Sequence, residues 1–250
     1  MVGIEQDVVA EAERLGALAS AEGVVVRLLG GVAIRLRSPE EPPTVFTRDY
    51  PDLDFVTTRK GSGDAQRFFA RAGYAPQVAF NALNSQERLL FFDDANNRQV
   101  DVFVGQFRMC HTIPLEGRLT VDDRTIPLAE LLLTKLQVVE LNEKDVRDAL
   151  FLLHEHDVGD ADGETVNAGR IAALLADDWG LWRTITANLA YCFERCEALD
   201  LPEPETTEIC RRIDRLRERI DAEPKSRGWR LRAKVGERKR WYDLPEEVRR

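Results

Sequence analysis

The hydrophobic pattern of the chain changes from helical to β-like after residue 23. Apolar residues recur at helical spacing over residues 4–18, and Gly23 is placed to end that helix. Four β-rich runs follow: VVVRLL at 24–29, DLDFVTT at 52–58, RLLFF at 88–92 and QVDVFV at 99–104. The polar segment DDANNR between the last two predicts a β-hairpin. The N-terminal part therefore combines strands and helices.

Helices are predicted between and after these strands. Gly30 and Gly31 separate the first strand from the helical segment VAIRLRS, and Asp64 is predicted to cap a short helix that contains Phe68 and Phe69. Pro127 suits the first position of a helix through LAELLLTKLQVVEL, and a further helix is expected from about Lys144 to His154.

The C-terminal part of the chain carries only helical periodicity. Three long amphipathic segments follow a loop of glycines and aspartates at 159–163, and Pro224 opens a basic tail. We therefore predict domains at residues 1–158 and 159–224, with a tail at 225–250. The fold class is α/β (α+β): a mixed sheet with flanking helices, followed by an α-helical domain.

Composition restricts the class of protein. The 250 residues are 44% hydrophobic, enough for a real core, and no apolar stretch approaches the roughly 20 residues of a membrane-spanning helix. Four cysteines without paired spacing favour reduced thiols, and we expect a cytoplasmic protein. The net charge of -9 argues against a protein that binds nucleic acid over its whole surface.

Three aspartates on two of the predicted strands are the main candidates for chemistry. Asp52 and Asp54 alternate with apolar residues and so share one face of a strand, and Asp101 stands opposite the valines of VDVFV. If the strands are neighbours, three carboxylates converge, and each like-charge pair at about 4 Å costs on the order of 4 kcal/mol at an effective dielectric near 20. Bound magnesium ions would offset that repulsion. Two such ions can together hold the attacking and leaving oxygens in phosphoryl transfer.

The turn at Gly30 and Gly31 supplies a second candidate feature. Glycine lets a phosphate approach the backbone closely, and the N–H groups at the start of a helix attract anions. A nucleotide bound between this turn and the acids would use both features. Either signal alone is weak, whereas their order along the chain makes the combination more specific.

At these residues the chain resembles the nucleotidyltransferases of the DNA polymerase beta-like superfamily. The motifs are LLGG, DLDFV and VDVFV, over about residues 24–104. The resemblance implies a nucleotidyltransferase-like fold in which Asp52 and Asp54 hold magnesium and the triphosphate. Asp101 would complete the metal site and help activate the acceptor hydroxyl. Two departures are the Gly-Gly turn in place of Gly-Ser and the long segment between Gly31 and Asp52.

The next segment resembles the AbiEii and MenT-type branch of that superfamily, which includes toxins of toxin–antitoxin pairs. The matching motifs are LLLTKLQ and NEKDVRDAL. By this resemblance Lys135 would contact nucleotide phosphate, and Asp145 would lie close to the active centre, where it could orient the lysine or the acceptor. A simpler interpretation makes Lys135 an exposed helix lysine and Asp145 a favourable first-turn charge.

The resulting functional hypothesis is a magnesium-dependent enzyme that transfers a nucleoside monophosphate from an NTP, such as ATP, to an acceptor hydroxyl. The acceptor is RNA, tRNA or a small molecule such as an antibiotic, and an antitoxin is a possible partner. The alternative is a non-catalytic module of the same fold that binds RNA or a protein. The acceptor, the base preference, the oligomeric state and the existence of an antitoxin stay open.

Other polar features are assigned structural roles. His154 and His156 are expected at a solvated helix end, and Trp179 and Trp182 in a helical core. Arg37 and Arg48 are either substrate contacts or surface. The basic tail is either an RNA-binding segment or a disordered, solvated end, and the second interpretation is favoured.

Overall fold

The computed structural model describes residues 3–38 and 41–244, which form two compact units. The first comprises residues 3–38, Arg48–Phe107 and Pro114–Ile126. The second comprises residues 41–47, Arg108–Ile113 and 127–244. The chain therefore passes between the units more than once, and residues 127–158, grouped by sequence with the strands, belong to the second unit.

The first unit is built on a mixed sheet, as predicted, and the sheet has five strands where the sequence predicted four. The spatial order is β1-β2-β5-β4-β3, in which β2 and β5 are parallel and their neighbours antiparallel. The strands are β1 Val26–Leu29, β2 Asp52–Thr57, β3 Ala75–Pro76, β4 Arg88–Asp93 and β5 Arg98–Val104. The β4–β5 hairpin is confirmed, and its turn contains Asn97 at φ 50°.

Four helices accompany this sheet in the described part of the first unit: α1 Val8–Glu22, α2 Gly30–Leu36, α3 Ser62–Arg71 and α4 Val78–Asn84. Asp7 caps α1, and Gly23 ends it in the left-handed conformation at φ 68°. Helix α2 begins at Gly30 itself. The predicted cap of α3 is wrong, because Gly61 occupies that position and Asp64 lies in the first turn, paired with Arg67.

The core of the first unit lies on the apolar face of the central strands. Leu53 and Phe55 of β2 are buried on the same side as Val100 and Val102 of β5. The rings of Phe55 and Phe69 approach to 5.3 Å between centroids, so α3 packs against this face. The alternating strand pattern therefore leaves the aspartates on the opposite face.

The second unit is mainly helical. Its helices are α5 Leu128–Leu136, α6 Glu143–Glu155, α7 Ala168–Asp177, α8 Trp179–Cys196, α9 Glu203–Ala222 and α10 Arg227–Val235. The glycine and aspartate loop at 159–163 joins two short parallel strands, β8 Asp157–Gly159 and β9 Thr165–Asn167. Two further short strands, β6 Gln106–Arg108 and β7 Thr112–Pro114, each include residues of both units. The 3-10 turns are Thr44–Phe46 and Gly236–Arg238 in the second unit and Glu116–Arg118 in the first.

The described part of the basic tail is folded, which corrects the expectation of a disordered end. Ser226 caps α10, and the Trp229 ring lies 5.1 Å from that of Trp182. The indole N–H of Trp241 donates to Thr184 Oγ1 at 3.1 Å. Residues 245–250 lie outside the described part. The side chains of Trp229 and Trp241 therefore pack within the second unit, whereas Arg227, Arg230 and Lys234 of α10 are exposed.

Histidines 154 and 156 do not form the solvated helix end that we predicted. His154 at the end of α6 contacts Glu155 Oε1 at 2.7 Å and Glu205 Oε2 at 2.9 Å. His156 is buried, and its Nδ1 contacts the Glu164 carbonyl at 3.3 Å. Trp179 is buried as predicted, and Trp182 is half-buried. The histidines therefore connect elements of the second unit.

The His154 contacts predict a pH-dependent stability. The hydrogen bond to Glu155, with that to Glu205, raises the pKa of His154 above its usual 6.5 against the opposing effect of burial. Since the folded-state pKa is the higher one, the stabilisation is complete below about pH 6.5 and is lost as pH rises through the folded-state value. Urea unfolding between about pH 6 and pH 8 should show this loss. A His154→Gln variant should lack that component, and an identical profile in both proteins would contradict it.

None of the helices formed by the described residues has the length and apolar character that crossing a bilayer requires.

Candidate functional site

The parallel register of β2 and β5 brings two of the three predicted aspartates side by side. Asp54 lies directly opposite Asp101, whereas Asp52 lies opposite Gln99. Directly paired residues of neighbouring strands point to the same face, so the side chains of Asp54 and Asp101 share one side of the sheet. Asp52 is exposed near the start of β2, Asp54 is half-buried and Asp101 is only 3% exposed.

Two donors that the sequence analysis missed bind both oxygens of Asp101. Arg88 Nε donates to Oδ1 at 2.6 Å, and Gln99 Nε2 donates to Oδ2 at 2.7 Å. The Arg88 guanidinium also lies 5.2 Å from the centroid of the Phe103 ring. A buried carboxylate requires a nearby cation. An arginine at the head of the predicted RLLFF strand was the signal that could have identified this partner.

The glycine turn lies against Asp54. Gly30 has φ 76°, and the Asp54 carboxylate fills the space that a Cβ at this position would need. A Cβ at Gly31 would overlap the Arg48 guanidinium and approach the Tyr50 ring. Arg48 lies 4.3 Å above the centroid of that ring. The turn, Asp54 and the Arg48 cation are therefore neighbours in the first unit.

This close approach makes Gly30 intolerant of a side chain. Gly30→Ala should lower the free energy of unfolding by about 2 kcal/mol or more, since it combines an unfavourable φ with displacement of Asp54. The matched control is Gly63→Ala in α3, where a Cβ meets only Arg67 Nη1 at 3.5 Å. Urea unfolding should leave the control unchanged or more stable. Equal effects of the two substitutions would contradict the proposed contact.

Arg37, considered above as a substrate contact, has a structural partner. It is buried and forms an ion pair with Asp122 in the first unit. Arg48 lies beside the glycine turn and over the Tyr50 ring. The geometry therefore keeps Arg48 among the candidate binding residues.

The predicted lysine and its aspartate meet in the second unit. Lys135 Nζ of α5 lies 3.3 Å from Asp145 Oδ1 and 2.9 Å from Asp148 Oδ2, both on α6. Asn142 caps α6 and donates to the second oxygen of Asp145 at 2.7 Å. The alternative interpretation of Lys135 as an exposed helix lysine is wrong, because its side chain is only 13% exposed. Asp148 was missed, although its spacing of three from Asp145 places it on the same helical face.

The donor chemistry of the first unit suits a hard divalent cation. Carboxylate oxygens are the preferred ligands of magnesium, and Asp54 and Asp101 are neighbours. The guanidinium of Arg88 already forms an ion pair with Asp101. Over residues 3–38 and 41–244, however, no group of three or more His, Cys, Asp or Glu side chains is arranged to hold a metal. Metal binding at these aspartates stays a prediction.

Comparison of the chain with protein-family models finds no matching family, and comparison with curated proteins finds no match either.

Proposed function

We propose that the protein is a metal-dependent nucleotidyltransferase. It would transfer a nucleoside monophosphate from an NTP to an acceptor hydroxyl and release pyrophosphate. The observation that supports this most is the pairing of Asp54 with Asp101, together with the glycine turn against Asp54. Such transfer depends mainly on positioning and charge neutralisation, which these groups are suited to provide.

The residues of the first unit divide into two roles in this proposal. Asp54 and Asp101, with the more exposed Asp52, would hold magnesium. The ion would neutralise the triphosphate and polarise the reacting phosphoryl group. The backbone at Gly30 and Gly31, with Arg48 beside it, would receive phosphate oxygens. Lys135 as a phosphate contact, oriented by Asp145, stays a prediction from the resemblance.

The acceptor in this proposal is an RNA, a tRNA or a small hydroxyl compound, with NTP, ATP among them, as donor. A toxin of a toxin–antitoxin pair would fit the first two acceptors, and its partner would be an antitoxin protein. A cytoplasmic location follows from the need for NTP.

The direct test is a transfer assay with the full chain. The protein is incubated with each labelled NTP, magnesium, and either bulk tRNA, other RNA or a panel of hydroxyl-bearing small molecules. We expect label in one acceptor class and a matching release of pyrophosphate. Folded protein that binds no NTP in the presence of magnesium and labels no acceptor would contradict the proposal.

A second candidate, a non-catalytic module of the same fold, is favoured by the occupation of both Asp101 oxygens by Arg88 and Gln99. A guanidinium that stays on Asp101 would offset the negative charge that attracts a metal ion. Such a module would bind RNA through the exposed cations of α10, Arg227, Arg230 and Lys234. Their replacement by glutamine should abolish RNA binding by the module. An enzyme should retain binding of NTP and magnesium after the same change.

A further inference from the structure

We infer that Arg88 is a displaceable counter-ion: it neutralises Asp101 when no divalent ion is bound, and it leaves Asp101 when an ion binds there. This inference rests on the proposed function for its metal. It adds a residue and a regulatory step that neither the motifs nor the resemblance contain. Arg88 acts on Asp101 and is a positioning residue.

The ion pair is asymmetric in its burial. The Asp101 side chain is 4% exposed and that of Arg88 is 27% exposed. Asp101 projects from the central strand β5, where β2 and β4 flank it. Arg88 is at the first position of β4, and its long side chain has access to solvent. Only the arginine can therefore move without disturbing the centre of the sheet.

Each oxygen of Asp101 accepts one hydrogen bond, and the two donors differ in charge. Gln99 Nε2 on Oδ2 is neutral, whereas Arg88 on Oδ1 carries a full positive charge. A divalent ion at Asp101 repels that charge and supplies a replacement for it. The guanidinium is thus the group that an ion displaces, while Gln99 keeps the carboxylate oriented.

Arg88 is also needed while the ion is absent. A buried carboxylate that loses its cationic partner is strongly destabilising. Ion binding and Arg88 should therefore substitute for one another in stabilising the first unit. Removal of the arginine should make the stability of the protein more dependent on divalent ions.

The experiment uses the full chain in the absence of nucleotide. It measures the melting temperature with and without Mn²⁺ or Mg²⁺ and, separately, the affinity for Mn²⁺. Arg88→Met should melt lower than the wild type without ions and should gain more stability from them. It should also bind Mn²⁺ at least about tenfold more tightly, since a charge-assisted hydrogen bond no longer competes. Asp101→Asn in the Arg88→Met background should remove that response.

Arg14→Met is the matched control, because Arg14 pairs with Glu11, another fully buried carboxylate of the first unit. It should also lower the melting temperature, but divalent ions should not restore it. If Arg88→Met does not fold, Arg88→Gln, which removes the charge and keeps a hydrogen-bond donor, provides the same comparison. Equal ion effects on the wild type, the Arg88 variant and the Arg14 variant would overturn the inference and make Arg88 a permanent structural partner.

The outcome is separable from that of the proposed function. Ion-dependent rescue of the Arg88 variant without any nucleotide transfer supports the displaceable counter-ion and contradicts the transferase. Nucleotide transfer by the wild type without selective rescue of the Arg88 variant supports the transferase and contradicts the displaceable counter-ion.

Discussion

Asp54→Asn should reduce nucleotidyl transfer by about 100-fold or more, since a preorganised charge at the transferring phosphoryl group is usually the largest contribution to such catalysis. The substitution keeps the size of the side chain and removes its negative charge. Asp54 is half-buried, lies opposite Asp101 and fills the space beside Gly30. The loss should therefore appear in the rate of transfer while the fold remains.

The matched control for this variant is Asp64→Asn, the same change at an exposed acid in the first turn of α3. Initial rates of label transfer at saturating NTP, together with Mn²⁺ affinity, separate the two proteins. The control should retain both properties, and Asp54→Asn should lose affinity for the ion as well as rate. Full activity of Asp54→Asn would remove Asp54 from the site and with it the observation on which the proposed function depends.

The alternation of apolar and acidic residues was sufficient to predict which face of β2 and β5 carries the acids. Leu53 and Val100 are buried on one side, and Asp54 and Asp101 share the other. The period of two along a strand determines this separation without knowledge of the neighbours. The hairpin was predictable from the polar turn between its strands, and most of the helices from apolar residues at helical spacing.

The register between strands was not predictable, because it depends on pairings distant in the chain. Alternation predicts that Asp52 and Asp54 share a face, but only the pairing shows that Asp54, and not Asp52, lies opposite Asp101. The expectation that three carboxylates converge did not identify which of Asp52 and Asp54 lies opposite Asp101. The partners of a buried charge depend on the same long-range pairing, which is why Arg88 was missed.

The environments of the tail and of the histidines also depend on packing, which the sequence pattern did not show. Charge and composition favoured solvated ends for both, yet Trp229 packs on Trp182 and His154 contacts Glu205. A basic or polar segment is compatible with a folded environment when its aromatic rings and its hydrogen-bonding groups find partners. The sequence contains those residues but does not show which partners they meet.

Lys135→Met should destabilise the second unit by about 3 kcal/mol, since it removes the cation shared by two carboxylates in a largely buried position. Asp148, 4% exposed in its side chain, contributes most of this effect, and Asp145 keeps its bond from Asn142. Urea unfolding of the full chain measures the change. Lys144→Met, at an exposed position of α6, should stay within about 0.5 kcal/mol of the wild type.

The double variant Lys135→Met with Asp148→Asn separates the structural role of the lysine from its predicted contact with phosphate. Removing both charges should recover much of the stability, because the cost lies in leaving a buried carboxylate without its cation. If Lys135 also binds nucleotide, the double variant regains stability but not NTP affinity. Recovery of both would restrict Lys135 to a structural role and leave the phosphate contacts to the glycine turn and Arg48. A single variant as stable as the wild type would contradict the three-residue ion cluster itself.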